Sequence, residues 1–328
     1  MIRKVALIIV VSAIALWVLG AHYVKSRVLD FIDQINSDNL KFQYENTKLS
    51  GFPFNWKVTF VAPKITFIDQ ASLKEIATES FSVTSNYLGN NLKVILDKSF
   101  TFNEADEDTA GSYTYNLSKI SEVNINLGES IYFSKADDQF WDRIRSFEYS
   151  NTQISVQYDG KEIYIINGLK FSLNQEKKIE SIVSQFSISA NFSSAQENPD
   201  VKNGYMNFSG SYYQAEDEKI DFERKLDIAN LQLKLDEALL DLKGVIKLSK
   251  STTPSGKLDV MMQKYPDLVD ILLPEEFFVS KSFLIKSIDR IVASEVMKGE
   301  IGNASFKIIF SDKGINFGKL SLSDLQDE

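Results

Sequence analysis

The chain has no cysteine, and its one histidine is His22. The first absence excludes disulfides, thiol redox chemistry, thiolate metal sites and a lipid-modified N-terminal cysteine. The second leaves everything from Tyr23 onward without imidazole. No Ser-His-Asp triad, Cys-His dyad, HExxH zinc site or three-histidine metal site is available there. A basic excess is missing as well: 36 Lys and Arg stand against 45 Asp and Glu, giving a net charge of −9 with the two signs interleaved. Nucleic acid is thereby excluded as a partner, since its binding rests on clustered cations that neutralise phosphates. Broad electrostatic adhesion to anionic lipid is excluded on the same ground.

What is present is enough apolar material for a core. Hydrophobic residues make up 44% of the 328, and disordered chains carry far less. A chain of this length is long for one domain, although β-rich folds of the size form single units.

Residues 5–24, VALIIVVSAIALWVLGAHYV, have only Ser12 and His22 as clearly polar interruptions. Twenty helical residues at 1.5 Å each cover about 30 Å, the thickness of a bilayer's hydrocarbon core. Trp17 and Tyr23 lie toward the far end, where aromatic rings favour the interface, and Arg3 and Lys4 precede the run. The expectation is an uncleaved signal anchor in a bacterial inner membrane, with residues 1–4 as a cytoplasmic tail. The alternative, a cleaved signal peptide, would put its best site after Ala21, but Leu19 then occupies the −3 position where a small residue is wanted. Lys25 and Arg27 place positive charge on the other flank too, so the reversed topology is the second option. Residues 25–39 read as an amphipathic juxtamembrane helix: Val28, Phe31, Ile32 and Ile35 share one face, and "NSDN" at 36–39 ends it. Packing of that stripe on the core is expected ahead of a free-standing stalk.

From residue 40 to 328 the dominant period is two. Trp56, Val58 and Phe60 alternate with Lys57 and Thr59, and "KITFI" puts Ile65 and Phe67 on one side. The alternation returns at 123–127, 154–158, 169–173, 186–192, 231–235, 242–248 and 257–262. Apolar residues on one side and polar on the other predict sheets with one buried and one wet face. Short turns such as "YDGK", "QEKK" and "SDKG" favour antiparallel meanders. Helices are expected at 137–147, with Asp137 as cap and Phe140, Ile144 and Phe147 on one face; at 265–273; and at 275–298, with Pro274 at its start and Leu284, Ile288, Ile291 and Val292 in a stripe. No repeat and no linker divides the region. The fold class is mainly antiparallel β, extended or curved and open to a groove-like form, with an N-terminal transmembrane helix and a few peripheral helices.

Candidate chemistry is thin. Glu104, Asp106, Glu107 and Asp108 crowd "NEADEDTAG", but the spacing lacks the central glycine and final Glu of a calcium loop, and they read as a solvated loop, as does "AEDEK" at 215–219. Paired carboxylates for glycoside hydrolysis cannot be singled out, with only Trp56 and Trp141 available beyond the anchor to line a sugar cleft. No enzyme activity, cofactor or metal is expected.

"SGFPFNWKVTF" (50–60) has a structural explanation: Gly51 takes a positive φ, and Pro53 holds Phe52 extended and starts the strand, leaving Phe52 and Phe54 to staple the turn. "AP" at 62–63 bends or restarts that strand. An N-terminal anchor followed by "SGFPFNWKVTFVAPKI" resembles the bacterial domain-of-unknown-function 2125 family. "LDLKGVIKLSKSTTPSGKLDVMMQKYPDLVDIL" (240–272) is similar to its hairpin-plus-helix pattern, and "FKIIFSDKGINFGKLSLSDL" (306–325) to its terminal hairpin. The resemblance implies a periplasmic β-rich part, distantly AsmA-like, of a kind that shelters lipid tails in curved sheets. It carries over Gly51, Phe52, Pro53 and Phe54 as architecture, with no catalytic residue. Two functional expectations follow. One is lipid transport or handling in the cell envelope, with phospholipid or glycolipid on an apolar sheet face. The other is a non-enzymatic scaffold with a closed β core.

Overall fold

The computed structural model describes residues 17–30, 32–33, 36–37, 40–51, 55–68, 72–86, 89–106, 110–119, 121–128, 144–177, 181–196, 201–215, 224–248, 254–272, 278–294, 302–312 and 314–321. The fold is mainly antiparallel β with few helices. It divides into two compact units, Met1–Ile165 and Ile166–Glu328, and the boundary falls inside a strand.

In the first unit, helix α1 occupies 17–30 and 32–33. Eleven strands follow: β1 (Leu40–Gln43), β2 (Asn46–Ser50), β3 (Trp56–Val61), β4 (Lys64–Ile68), β5 (Ser72–Thr78), β6 (Ser80–Ser85), β7 (Asn91–Leu96), β8 (Ser99–Asp106), β9 (Ala110–Leu117), β10 (Ser121–Leu127) and β11 (Ile144–Tyr158). Their pairing reduces to a simple meander. β2–β3–β6–β7–β10 and the first half of β11 form one limb, while β1–β4–β5–β8–β9 and the second half of β11 form the other. Consecutive short strands, such as β3 and β4, are therefore two halves of one long strand broken at a common crease.

The crease follows from local chemistry. Ala62 adopts φ 48° just before Pro63, which has no N–H to offer a ladder. The backbone is re-satisfied across the break by Ala62 N to Glu79 O (2.8 Å), Thr78 N to Pro63 O (3.2 Å) and Ser118 N to Gln153 O (2.9 Å). Asn151, 2% exposed, donates to Ser121 Oγ and accepts from Gln153 N at 2.9 Å. Buried polar groups are tolerated here because each has a partner.

Facing is kept through the break. In β3 the inward residues are Trp56, Val58 and Phe60, at 8%, 0% and 0% exposure. In β4 they resume at Ile65, five residues on, and Thr66 is buried on the opposite parity. Phe42 shows that the two limbs share this face: its ring lies 5.7 Å from those of both Phe60 and Phe81.

The expected helix at 137–147 needs correction at its C-terminal end. Ile144 and Phe147 belong to β11, and Asp137 to Arg143 lie outside the described residues. A bulge between Asn126 and Leu127 of β10 pairs Leu127 with Ile144 and Asn126 with Ser146. The extra residue puts Ile144 and Phe147 on one face although they are three apart, and that spacing imitates a helix.

The second unit continues as consecutive antiparallel hairpins: β12 (Lys161–Lys177), which crosses the boundary, β13 (Ser181–Ser194), β14 (Asn203–Ala215), β15 (Arg224–Leu235), β16 (Ala238–Leu248), β17 (Pro254–Gln263), β18 (Ala304–Ser311), β19 (Gly314–Phe317) and β20 (Leu320–Ser321). Asp159 (φ 46°) and Gly160 (φ 78°) make the two-residue turn that opens β12. Between β17 and β18 stand α2 (Tyr265–Leu272) and α3 (Phe278–Ser294), the two expected helices. Tyr265, Val269, Ile288 and Ile291 pack on Val260 and Phe306, with Leu242, Met262 and Val292 against them. Leu284, expected in that stripe, is instead 41% exposed. The stripe runs through Lys281, Ile285, Ile288 and Val292 at steps of three and four, and Leu284 lies outside it.

Candidate functional site

Two features of the first unit converge: the joint that holds α1, and the apolar face beyond it. At the joint, Gly51 has φ +105°, and a Cβ there would lie 2.3 Å from Asn55 Oδ1, so the position admits no side chain. Asn55 N donates to Gly51 O at 3.1 Å, closing the turn. Phe52, Pro53 and Phe54, the remainder of the motif, lie outside the described residues. The turn aims Asn55 O at the helix, where it accepts from Trp17 Nε1 at 3.0 Å. Trp56 Nε1 returns the bond to Trp17 O at 3.1 Å. Gly20 lies over the Trp56 ring so closely that a Cβ would be 2.3 Å from Cζ2. Ala21, Val24 and Ile32 continue the contact at 1%, 1% and 6% exposure, with Val28 and Leu29 alongside. Of the expected stripe, Val28 and Ile32 pack on the core, Phe31 and Ile35 lie outside the described residues, and the contact begins at Trp17, within the apolar run. Trp56 is thus committed to the helix and does not line a cleft.

In the other limb a single row crosses six strands, starting from Phe42 at the edge of the α1 cluster: Phe42, Ile65, Ile76, Phe102, Tyr113 and Tyr158 are successive cross-strand partners. Five strand spacings of about 4.8 Å make the row roughly 24 Å long. The next row holds Phe100, Tyr115 and Val156. Phe100 stacks on Tyr115 at 4.7 Å, and Tyr113 meets Tyr158 at 4.9 Å. Gly111 makes room for the Tyr158 ring, since a Cβ there would be 2.7 Å from its Cε2. Leu117, Ile154 and Val156 near the crease are buried. Away from it Tyr158 is 37% exposed and the rest of the row is half-buried, while Phe67, which pairs with Lys74 in the adjoining row, is 38% exposed. Burial, with Tyr113 alongside, raises the Tyr115 pKa, so its hydroxyl stays neutral and the face carries no charge from it.

The opposite face is polar. Lys57, Thr84, Lys93, Asn124 and Glu148 form one row across β3, β6, β7, β10 and β11. They line a shallow depression of about 680 Å³ in which Lys93 pairs with Glu122 at 2.9 Å.

In the second unit, Ile188, Phe208, Leu231, Leu242, Val260 and Phe306 form a comparable apolar row. Helices α2 and α3 cover its Leu242–Phe306 end, and Ile188, Phe208 and Leu231 are half-buried.

The acidic stretch takes a different form from the expected loop. Glu104 and Asp106 are strand residues of β8, β9 resumes at Ala110, and Glu107 and Asp108 lie outside the described residues. In "AEDEK" Ala215 ends β14, and 216–219 are likewise outside. Trp141 is outside too. Among the described residues no group of three His, Asp or Glu is placed to hold a metal ion. Among them also, no helix is long and apolar enough to cross a membrane; the first sixteen residues, which carry most of the 5–24 run, lie outside.

The joint and the aromatic row were not legible as sites beforehand. Trp17 and Asn55 are 38 residues apart, and nothing local links them. The row shows only once register is known, although the alternating Phe100, Phe102 and Tyr113, Tyr115 pairs mark its centre. No family model, curated protein or solved structure matches this chain.

Proposed function

We propose that this chain is a single-pass protein of the bacterial inner membrane, N-terminus cytoplasmic and bulk periplasmic, that handles lipid in the cell envelope along an apolar sheet face. The observation that carries the reading is the Phe42–Tyr158 row: a neutral aromatic and aliphatic strip, half-buried, beside a helix that continues from an apolar N-terminal run. Its length of roughly 24 Å accommodates one acyl chain, whose leaflet is about 15 Å deep. Each methylene transferred from water would contribute about 0.8 kcal/mol. The resemblance to the domain-of-unknown-function 2125 family and its AsmA-like relatives supports the same reading.

The test is native mass spectrometry of the full chain, followed by lipid extraction and identification. The full chain is needed because α1 supplies one side of the first unit's core. Phospholipid or glycolipid at near one-to-one stoichiometry is expected. An Ile76→Asp/Phe102→Asp variant, with strand content checked by circular dichroism, should lose at least nine-tenths of it. A lipid-free wild-type chain would sink the reading. The scaffold alternative is favoured by one observation, the sealing of part of the second unit's face by α2 and α3, and predicts that lipid-free result.

A further inference from the structure

Where the bilayer stops on this chain follows from how α1 is docked, and the argument rests on the anchored reading above. Around residues 17–24 the helix has two unlike sides. Gly20, Ala21 and Val24 lie against Trp56, Val58 and Phe60, with Ala21 and Val24 1% exposed. Away from the sheet, Leu19 is 69% exposed and Val18 41%. Lipid therefore cannot surround the helix beyond Trp17, yet Val18 and Leu19, within the apolar sequence run that begins at Val5, are exposed on the side away from the sheet.

On the anchored reading, a helix over 5–19 would span about 22 Å, short of a hydrocarbon core of about 30 Å. Snorkelling of Arg3 and Lys4 and modest local thinning close such gaps. Sinking the helix to Val24 would instead draw Ser50, Asn55 and Lys57 into hydrocarbon, where polar groups and open backbone are strongly disfavoured.

We infer that the membrane surface meets the protein at a collar formed by Trp17, Val18 and Leu19 on the helix and by Ser50, Gly51 and Asn55 on the sheet. The first unit then stands on the bilayer by its helix-covered limb, and the anchor ends several residues before Val24. Tyr23 and Arg27 fall at the headgroups. Arg27 Nε donates to the Tyr23 hydroxyl at 3.1 Å and its guanidinium lies 5.4 Å over the ring, a cation–aromatic pair suited to that zone. The turn closed by Gly51 and Asn55 thereby acquires a role: it fastens the exit point of the anchor to the sheet.

The absence of cysteine makes the test direct. Single nitroxides are placed through Ser12→Cys, Leu19→Cys, Ser50→Cys and Lys41→Cys in the full chain, in nanodiscs of phosphatidylethanolamine and phosphatidylglycerol. Depth is read from the ratio of collisions with oxygen and with a nickel chelate. The expected order is position 12 in hydrocarbon, 19 and 50 at the headgroups, and 41 in water. Positions 19 and 50 as deep as 12, or 50 as aqueous as 41, would overturn the collar while leaving the anchor standing. Position 12 in water would overturn the anchored reading itself and the collar with it.

Discussion

Replacing Gly20 with alanine adds one methyl group to α1, and in an isolated helix that change stabilises by about 1 kcal/mol. Here the new Cβ would lie 2.3 Å from Trp56 Cζ2 and 2.6 Å from Cε2. The ring cannot retreat easily: Trp56 is 8% exposed and its Nε1 is held by Trp17 O at 3.1 Å. The helix must lift, and overpacking of this kind costs about 1–3 kcal/mol. Lifting also strains the Trp17 Nε1 to Asn55 O bond, 3.0 Å long, of a type worth about 1 kcal/mol net. With the propensity gain and the lost bond roughly cancelling, the variant should be less stable by about 1–3 kcal/mol. Urea unfolding of the full chain in mild detergent, followed by far-ultraviolet circular dichroism, measures it. Ser26→Ala, at an exposed position of the same helix, is the control and should stabilise by about 0.5 kcal/mol. In a Gly20→Ala/Trp56→Leu double mutant the two losses should couple by about 1 kcal/mol or more. If Gly20→Ala stabilises as Ser26→Ala does, helix and sheet are not in contact there and the docking argument is refuted.

Other substitutions test other parts of the fold. Phe60→Ala removes a fully buried ring stacked 4.7 Å from Phe81 and should cost about 3–5 kcal/mol in the same unfolding assay. Ala62→Gly should stabilise by about 0.5–1 kcal/mol despite glycine's poor strand propensity, because φ 48° penalises a Cβ; destabilisation would mean the crease is not bent as described. Asn151→Ala removes the acceptor of Gln153 N and leaves Ser121 Oγ only the long 3.5 Å bond from the Tyr149 hydroxyl; it should cost about 1–3 kcal/mol, with faster amide exchange concentrated at the crease. Tyr265, 5% exposed, has a pKa raised from 10.0 to about 12 by burial and by its hydrogen bond to Asp289. The unfolded chain ionises first, so the contribution of the neutral phenol is complete below pH 10 and is lost as pH rises toward 12. Tyr265→Phe should show a smaller fall in stability over that window.

Much of the strand content was legible because alternation survives wherever one face is buried, as in Trp56–Phe60 or Leu231–Leu235. It misled where an inserted residue changed the count. The bulge opposite Ile144 gave a spacing of three that a helix would also give, and the bulge between Ile228 and Leu231 does the same. Ala62–Pro63 announced its own break, whereas Asp97–Lys98 and Ser118–Lys119 lie on the same crease with residues common on any wet surface. α2 and α3 were visible from their stripes, but which leucine faces the sheet depended on docking, and Leu284 fell outside. The candidate site was the least legible. Periodicity says that a face is apolar, and only cross-strand register says which residues line up into a strip.

The meander has a consequence for how such a chain can change. Among the described residues each long strand of the first unit pairs with its immediate neighbours in the chain, and all but the unbroken β11 are interrupted at the same height. A hairpin duplicated or deleted within the series would need no rethreading, and it would widen or narrow the apolar strip by two strand spacings, about 10 Å. Width, and with it the size of whatever lies on that face, is therefore a quantity that hairpin number sets independently of how the sheet is held to its helix.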